Sequence, residues 1–377
     1  MRILMTTGIF EPEAGGPATL TPKIAARLSE SGWGVTVVTY SDMPSFDSDS
    51  KYPFHLVRVV RRGNRLVNYL AFFMASLKYM SGADIVYSLD WLAAGLPVTF
   101  ASILRCTPVV IRVGGDYNWE RYLETDQQPI PLKDFYEKGL YRQRPIMFEF
   151  IRLVLRRANH VIFNTDIQRD LYHKYLGLLP AHTSVIYNPV PKAIAGVVRN
   201  DTTHEIVFAA RFVAMKNPLT LIRAFAQAKL PASYRLVLIG NGPAEVNMRN
   251  LISEMHLEDK ILMLPGMRQA ELYERIRNCR ALVLPSWTDI SPNQVFEAMQ
   301  MKIPMLVTKE NYLSIKEQLP ETIDPTSIDD IARKLEMLAD ERRYLEFTAR
   351  WNQLSFEYGW NTEMAEHQKV FTKALKK

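Results

Sequence analysis

Short apolar runs rich in β-branched residues recur through the first half of the chain: RILMTT, GVTVVTY, FHLVRVV, ADIVYSL, PVVIRV, HVIFNT and SVIYNP. Each is bounded by turn residues and shows little alternation of apolar and polar positions. That is the pattern of parallel strands buried on both faces. Between the runs lie amphipathic stretches with helical spacing, for example 19–31 and 146–158. The second half repeats the scheme with EIVFAAR, YRLVLIG, KILMLPG, RALVLPS and IPMLVTK, and from about residue 327 the pattern is helical throughout. Strand–helix alternation of this kind predicts an α/β protein built from doubly wound parallel sheets. The stretch 189–205, PVPKAIAGVVRNDTTHE, is rich in Pro, Gly and short polar residues and reads as a linker between the two halves. Two Rossmann-like units imply ligand binding beyond the carboxyl ends of their strands, in a cleft between them.

Composition narrows the picture without changing it. A chain of 377 residues suits two or three domains, and 47% apolar with 23% charged residues rules out bulk disorder. The two cysteines, Cys106 and Cys279, exclude a Cys-based zinc site and a disulfide framework, and fit a reduced compartment. No charge-free stretch is long enough to span a bilayer, and the start MRILMTTGIFEPEAGG lacks the layout of a signal peptide. A soluble cytoplasmic protein is the expectation, with peripheral contact to the inner face of a membrane left open. The net charge of +6 favours anionic partners and does not choose among them.

Six places carry candidate chemistry. Gly15 and Gly16 follow the first strand and precede a helix, where paired glycines let a backbone approach a phosphate or sugar. Arg211 ends the run EIVFAAR and Lys216 follows on the loop; together they could clamp a diphosphate, or be two solvated cations. Gly240-Asn241-Gly242-Pro243 reads equally as a structural turn and as a contact for a nucleotide base. In LPSWTDISPNQVFEAM, 284–299, Ser291 is expected to cap a helix with Pro292 at its first position, Asn293 next and Gln294 completing a capping box. That helix start would favour a phosphate, while Asp289 on the loop and Glu297 two turns in offer acceptors for sugar and ribose hydroxyls. Arg112-Val113-Gly114-Gly115-Asp116 is either a turn or an acid placed to orient an acceptor hydroxyl. The stretch 58–80, RVVRRGNRLVNYLAFFMASLKYM, is basic at its ends and apolar between; it reads as a core-packed helix or as a segment lying in an anionic interface. Metal-ligand pairs of histidine, a P-loop and a Gly-x-Ser-x-Gly elbow are all lacking. The small basic excess comes with no nucleic-acid-binding module.

Taken in order, these spacings resemble the retaining glycosyltransferases of GT-B fold, specifically glycosyltransferase family 4. The resemblance covers nearly the whole chain and is most specific over 205–310. It implies that Arg211 and Lys216 grip the donor diphosphate, that Gly240, Gly242, Ser291, Pro292, Asn293 and Glu297 line the nucleotide-sugar site with Gly15 and Gly16, and that Asp289 and Glu297 are the family's paired acids. Asn188 in YNPV matches the family's turn before the linker. An N-terminal acceptor domain over 1–195, completed by 358–377 crossing back, and a donor domain over 205–357 are expected. The resemblance also implies a UDP-sugar or GDP-sugar donor, no metal or other cofactor, and a saccharide or lipid-linked acceptor in glycan or surface polysaccharide synthesis. Four positions depart from the family pattern. Ala210 stands where Gly is usual, Asp289-Ile290 where Glu-Gly is usual, and Lys302 where Gly is common. Gly114-Gly115-Asp116 stands where many members carry His, which makes Asp116 the candidate acid on the acceptor side. A nucleotide-sugar epimerase of the same fold and a catalytically silent nucleotide-sugar binder are the alternatives.

Overall fold

A computed structural model describes residues 1–13, 15–125, 128–190, 199–200 and 202–376. The expected linker 189–205 falls partly outside the described residues, at 191–198 and 201. The chain divides into two compact units: Met1–Asn118, Leu140–Asn188 and Trp360–Lys377 form the first, Trp119–Gly139 and Pro189–Gly359 the second. The assignment of Trp119–Gly139 to the second unit is a feature that the hydrophobic pattern does not encode.

The first unit is a seven-stranded parallel sheet formed by β1 (Arg2–Thr7), β2 (Gly34–Ser41), β3 (His55–Val60), β4 (Ile85–Ser88), β5 (Val109–Val113), β6 (His160–Phe163) and β7 (Thr183–Val185). All seven correspond to the apolar runs of the first half. Their spatial order is β3-β2-β1-β4-β5-β6-β7. Ile3 of β1 pairs in parallel with Val35 on one side and Ile85 on the other, so β1 is where the winding direction reverses. The central strands are fully buried, whereas β3 at the edge is mostly half-buried, as its exposed position requires. Helices α1 (Gly16–Glu30), α2 (Arg65–Met80) and α3 (Gly95–Arg105) belong to this unit. The short α4 (Tyr117–Leu123) and α5 (Leu132–Glu137) lie on either side of residues outside the description. α6 (Pro145–Arg157) and α7 (Asp166–Leu176) complete the crossovers. Thr165 caps α7 by accepting from the Gln168 amide, and Gly177 at φ 65 ends it in the left-handed conformation that favours glycine.

The second unit holds six parallel strands: β8 (Glu205–Ala209), β9 (Arg235–Ile239), β10 (Ile261–Leu264), β11 (Ala281–Leu284), β12 (Met305–Thr308) and β13 (Thr322–Ile323), in the order β10-β9-β8-β11-β12-β13. The first five match the predicted runs; β13, only two residues long, has no apolar run to announce it. Its helices are α8 (Pro218–Gln227), α9 (Glu245–Glu254), α10 (Gln269–Ile276), α11 (Asn293–Gln300), α12 (Ile328–Met337) and α13 (Glu341–Trp351). Winding reverses at β8, which pairs with β9 on one side and β11 on the other. Phe208, Leu236, Leu238, Leu282 and Leu306 form the centre of its core, each fully buried aliphatic or aromatic side chain contributing about 1.5–3 kcal/mol.

The final helix, α14 (Trp360–Leu375), returns to the first unit and packs on β4, β5 and α1. Phe371 is fully buried there, its ring 5.2 Å from Tyr87 and 5.8 Å from Trp33. Two parallel sheets with helices on their faces and a terminal helix crossing back constitute the expected GT-B architecture.

Candidate functional site

In a parallel sheet every strand delivers its carboxyl end to the same edge. In the second unit that edge collects the loops after β8, β9, β10 and β11, and these carry most of the predicted site residues. Arg211 and Lys216 lie on the loop after β8, the second closing a short 3-10 turn at Ala214–Lys216. Asp289 lies after β11, the neighbour of β8 across the reversal point. The two loops are tied together: the Trp287 amide donates to the Met215 carbonyl at 3.0 Å, and the Lys216 Nζ donates to Asp289 Oδ2 at 2.7 Å. This ion pair is mostly buried, with side-chain exposures of 17% and 8%. Ser286 Oγ donates to the same carboxylate oxygen at 2.9 Å. Arg211 differs from Lys216 in being exposed, with no ionic partner among the described residues.

The glycine turn after β9 has a steric explanation. A Cβ on Gly240 would lie 2.0 Å from the Ala210 carbonyl oxygen, and one on Gly242 would lie 2.3 Å from the Phe212 carbonyl oxygen. Only glycine lets the loop after β9 approach the loop after β8 this closely. Amides seal the contact: Phe212 donates to the Asn241 carbonyl at 2.9 Å and Ala244 to the Phe212 carbonyl at 2.9 Å. The structural reading of Gly240–Pro243 is therefore satisfied in full, and what the turn supports is the backbone of Arg211.

The start of α11 departs from its expected form. The helix begins at Asn293 with Pro292 in the cap position and no side-chain cap bond, so Ser291 is not the cap and Pro292 is not the first helical residue. Gln294 completes no capping box; its Nε2 donates to the Ala209 carbonyl at 3.0 Å. The reason is local. The register of β8 with β11 ends at Val207, two residues before Ala209, and beyond it a long amide side chain from α11 reaches the Ala209 carbonyl. The helix start is thereby fastened beside the Arg211 loop. Glu297, half-buried, accepts from Gln269 Nε2 at 2.9 Å. Burial pushes the Tyr273 hydroxyl up, and the adjacent Glu297, to which it is hydrogen-bonded, pushes it further. Gln269 and Tyr273, both from α10, thus fix the carboxylate's orientation.

The first unit has a corresponding corner at the carboxyl ends of β1 and β4. Gly15 caps α1 with its backbone alone, and a Cβ on Gly16 would meet nothing within 4 Å. Sequence reading passed over the residues that hold this loop. Asp90, after β4, accepts from the Gly8 amide at 2.7 Å and the Ala94 amide at 2.9 Å. Arg61 donates to the Gly8 carbonyl and to Glu13, and Arg58 to the Glu11 carbonyl and Asp49. An acid directly after the apolar run ADIVYSL was the available signal for Asp90; the two arginines stand out only as part of the basic stretch 58–80, and nothing local marks them as braces for this loop. Asp116 is 1% exposed and accepts from the Tyr172 hydroxyl at 2.9 Å, tying the loop after β5 to α7. It belongs to the first unit. Asn188 accepts from Arg112 at 3.0 Å, within a buried group that also contains Asn164, Glu363 and His367.

Of the stretch 58–80, residues Arg65–Met80 form α2, which buries Phe72, Ser76 and Met80 and leaves Leu66, Leu70 and Met74 exposed. No described helix is long and apolar enough to cross a membrane.

Two family models match the chain in tandem: Glycosyltransferase Family 4 over residues 14–193 and Glycosyl transferases group 1 over 191–354. A D-inositol 3-phosphate glycosyltransferase of Pseudarthrobacter chlorophenolicus is 28% identical over 117 residues, which is 30% of this chain and 28% of that relative. The chain therefore matches well under half the length of that relative. Among solved structures, Anabaena HepE in complex with UDP-glucose superposes with a TM-score of 0.75 at 15% identity, covering 99% of each chain. Sucrose-phosphate synthase from Thermosynechococcus elongatus gives 0.75 at 14% identity, covering 100% of this chain and 99% of that one. At such identities the superpositions establish the shared fold.

Proposed function

We propose that this chain, which belongs to glycosyltransferase family 4 and has the GT-B fold, moves a sugar from a nucleoside diphosphate sugar to a saccharide or lipid-linked acceptor with retention at the anomeric carbon. The observation that carries the reading is the convergence of Arg211, Lys216, Asp289 and the start of α11 on one strand edge of the second unit. Cleaving the anomeric bond places negative charge on the departing diphosphate. Arg211, free to reorient, and Lys216, held in place by Asp289, are suited to receive it. The amides at the start of α11 add a partial positive charge. Preorganised donors of this kind each lower a barrier by roughly 3 kcal/mol, so this reading requires no metal ion.

Glu297 is suited to accept from the ribose diol, its carboxylate already aimed by Gln269 and Tyr273. Asp289, paired with Lys216, links the diphosphate side of the site to the sugar side. In this reading Asp116 positions the loop after β5 through Tyr172 and does not touch the acceptor. A uridine diphosphate sugar is the first donor to try, because HepE of the same fold was crystallised with UDP-glucose.

Incubation with a panel of nucleotide sugars, with and without saccharide and lipid-linked acceptors, tests the reading. Nucleoside diphosphate released only when acceptor is present is the expected result. Interconversion of the donor sugar would indicate an epimerase, and binding without turnover a silent member; either outcome rejects transfer. Glu297→Ala should weaken donor binding by about 10- to 100-fold, as loss of a charge-assisted hydrogen bond does. Titration calorimetry showing undiminished donor affinity would remove Glu297 from the site.

A further inference from the structure

We infer that the first unit docks on an anionic lipid surface through the helical layer formed by α2, α3 and α6. The three helices are successive crossovers between β3, β4, β5 and β6, so they lie along one face of the sheet, with α2 packed on α3 and α3 on α6. α1 and α14, which pack on each other, belong to a different part of the unit.

The outer surface of this layer is apolar to an unusual degree. Among the described residues nineteen large apolar side chains are exposed, and ten of them lie on these three helices of 16, 11 and 13 residues. On α2 the exposed stripe Leu66, Leu70 and Met74 recurs every four residues and is rotated by roughly a third of a turn from the buried stripe Phe72, Ser76 and Met80. The helix therefore has two apolar faces, and only one of them is used by the core. Leu104 continues the surface at the end of α3, 67% exposed, and Ile146 at the start of α6, 75% exposed. Isolated exposed leucines are normal; a run of them across adjacent helices marks an interaction surface.

Charge selects the partner. The three helices carry six Lys and Arg against one acid, Glu149, a net of +5 in a chain whose total is +6. Five of the six cations sit at helix ends, Arg65 and Lys78 on α2, Arg105 on α3, Arg156 and Arg157 on α6, and the sixth, Arg152, pairs with Glu149. An apolar centre with long basic side chains at its margin can insert into the acyl boundary of a bilayer while the cations reach anionic headgroups. A protein partner or a second copy of this chain would bring like charge to like charge unless it were strongly acidic on the matching face. With no described helix able to span a bilayer, the contact is peripheral.

Co-sedimentation of the full chain with vesicles needs no donor or acceptor, so its outcome is independent of the transfer reading. The protein should pellet with phosphatidylcholine vesicles containing phosphatidylglycerol at least about tenfold more than with phosphatidylcholine alone, and be released by high salt. Leu70→Glu with Leu104→Glu, both at exposed positions, should reduce pelleting about tenfold, as should Arg156→Ser with Arg157→Ser. Unchanged thermal melting would show that both variants fold. Wild-type protein remaining in the supernatant with anionic vesicles at low salt would overturn the inference. So would variants that pellet as well as wild type. A wild-type dimer in sedimentation velocity that Leu70→Glu with Leu104→Glu dissolves, without vesicle binding, would instead give the face to a second copy.

Discussion

The two units place a carboxylate at the same topological position, and the carboxylates do different work. Each sheet reverses its winding at one strand, β1 in the first unit and β8 in the second, and each has an acid on the loop after the neighbouring strand. Asp90 in the first unit is surrounded by backbone amides, those of Gly8 and Ala94 at 2.7 and 2.9 Å. Burial pushes its carboxyl up while the amides of Ala94, Gly8, Gly95 and Ala93 pull it down. Asp289 in the second unit is held by side chains, Lys216 at 2.7 Å and Ser286 at 2.9 Å. A carboxylate on amides is committed to the fold, because releasing it would leave buried N–H groups unpaired. A carboxylate on a lysine can exchange that partner when another anion or a hydroxyl arrives. The same corner of the same topology is closed in one unit and, under the proposed function, available for chemistry in the other.

The largest expected effect tests the available corner. Arg211→Ala combined with Lys216→Ala should lower the turnover of sugar transfer about a thousandfold, the scale of losing preorganised donors to a charged transition state. Arg211 is exposed, so its loss should leave thermal stability unchanged, whereas loss of Lys216 unpairs the mostly buried Asp289 carboxylate and should lower the melting temperature as well; turnover is therefore compared well below that temperature. A double variant with near-native kcat would show that the leaving diphosphate is stabilised elsewhere.

The closed corner should respond in the opposite sense. Asp90→Ala removes the acceptor for several buried amides and should destabilise the protein by about 3 kcal/mol. Denaturant unfolding measures this as a lower midpoint. A loss under 0.5 kcal/mol, roughly the scale of a surface substitution, would mean that the loop after β1 holds without Asp90, and the contrast between the two corners would fail.

This contrast also explains what could be read from the sequence. The strands were legible because a buried parallel strand is a continuous apolar run, and twelve of the thirteen strands announce themselves in that way. β13 has two residues and relies on pairing with β12. Arg211, Lys216, Asp289 and Glu297 were legible because they sit at strand ends or in a helix start with a family spacing. The cap of α11 was misread, since Ser-Pro-Asn-Gln has the form of a capping box while Gln294 is drawn to the Ala209 carbonyl by a neighbour 85 positions away. Asp90 was missed, and Arg58 and Arg61 were read only as part of a basic stretch, for the same physical reason: their partners are distant in sequence, as Asp90 is from Gly8 by 82 positions. Local pattern encodes elements, and it does not encode which loop a buried charge will fasten.

A third test concerns buried charge used as architecture. On the first unit's sheet, Arg112 lies against Glu363 at 3.5 Å and His367 at 3.3 Å, both from α14, and donates to the Ile186 carbonyl and Asn188. Burial raises the Glu363 carboxyl to about 7 against the pull of Arg112 and Arg27 and with the push of Glu366. Burial and Arg112 lower His367 to about 3. The two groups have opposite linkage. Glu363 binds its proton more tightly when folded, so its contribution is present at low pH and is lost as pH rises from about 4.5 through about 7. His367 binds its proton less tightly when folded, so its contribution is present above about 6.5 and is lost as pH falls toward about 3. Between about 4.5 and 6.5 the two slopes oppose each other, and stability should vary little with pH. Glu363→Gln should uncover stability that rises with pH across this window, and His367→Phe stability that falls. Melting temperatures across a pH series read both slopes; two variants with slopes of the same sign would refute the pairing.

The smallest effect separates the units at a helix end. In the first unit α7 stops on Gly177 at φ 65, where glycine carries no steric penalty. In the second, α11 stops with Lys302 at φ 55, and the following Ile303 amide donates to the Ala298 carbonyl at 2.9 Å. That is the helix-closing arrangement in which the residue after the cap must turn left-handed. For a residue with a side chain the left-handed region costs about 1 kcal/mol, from Cβ crowding the neighbouring carbonyl. The glycine that the family resemblance leads one to expect at this position would relieve it, less the extra entropy glycine loses on folding. Lys302→Gly should therefore stabilise the protein by up to about 1 kcal/mol, read as a modestly higher unfolding midpoint with the denaturant slope unchanged. Because Lys302 is exposed and sits at the opposite end of α11 from the Arg211 loop, kcat should not move. A stabilised variant with unaltered turnover would show that the Arg211 corner does not depend on the strained end of α11. A loss of turnover would show that the strained end of α11 is part of how the helix presents its start to the donor.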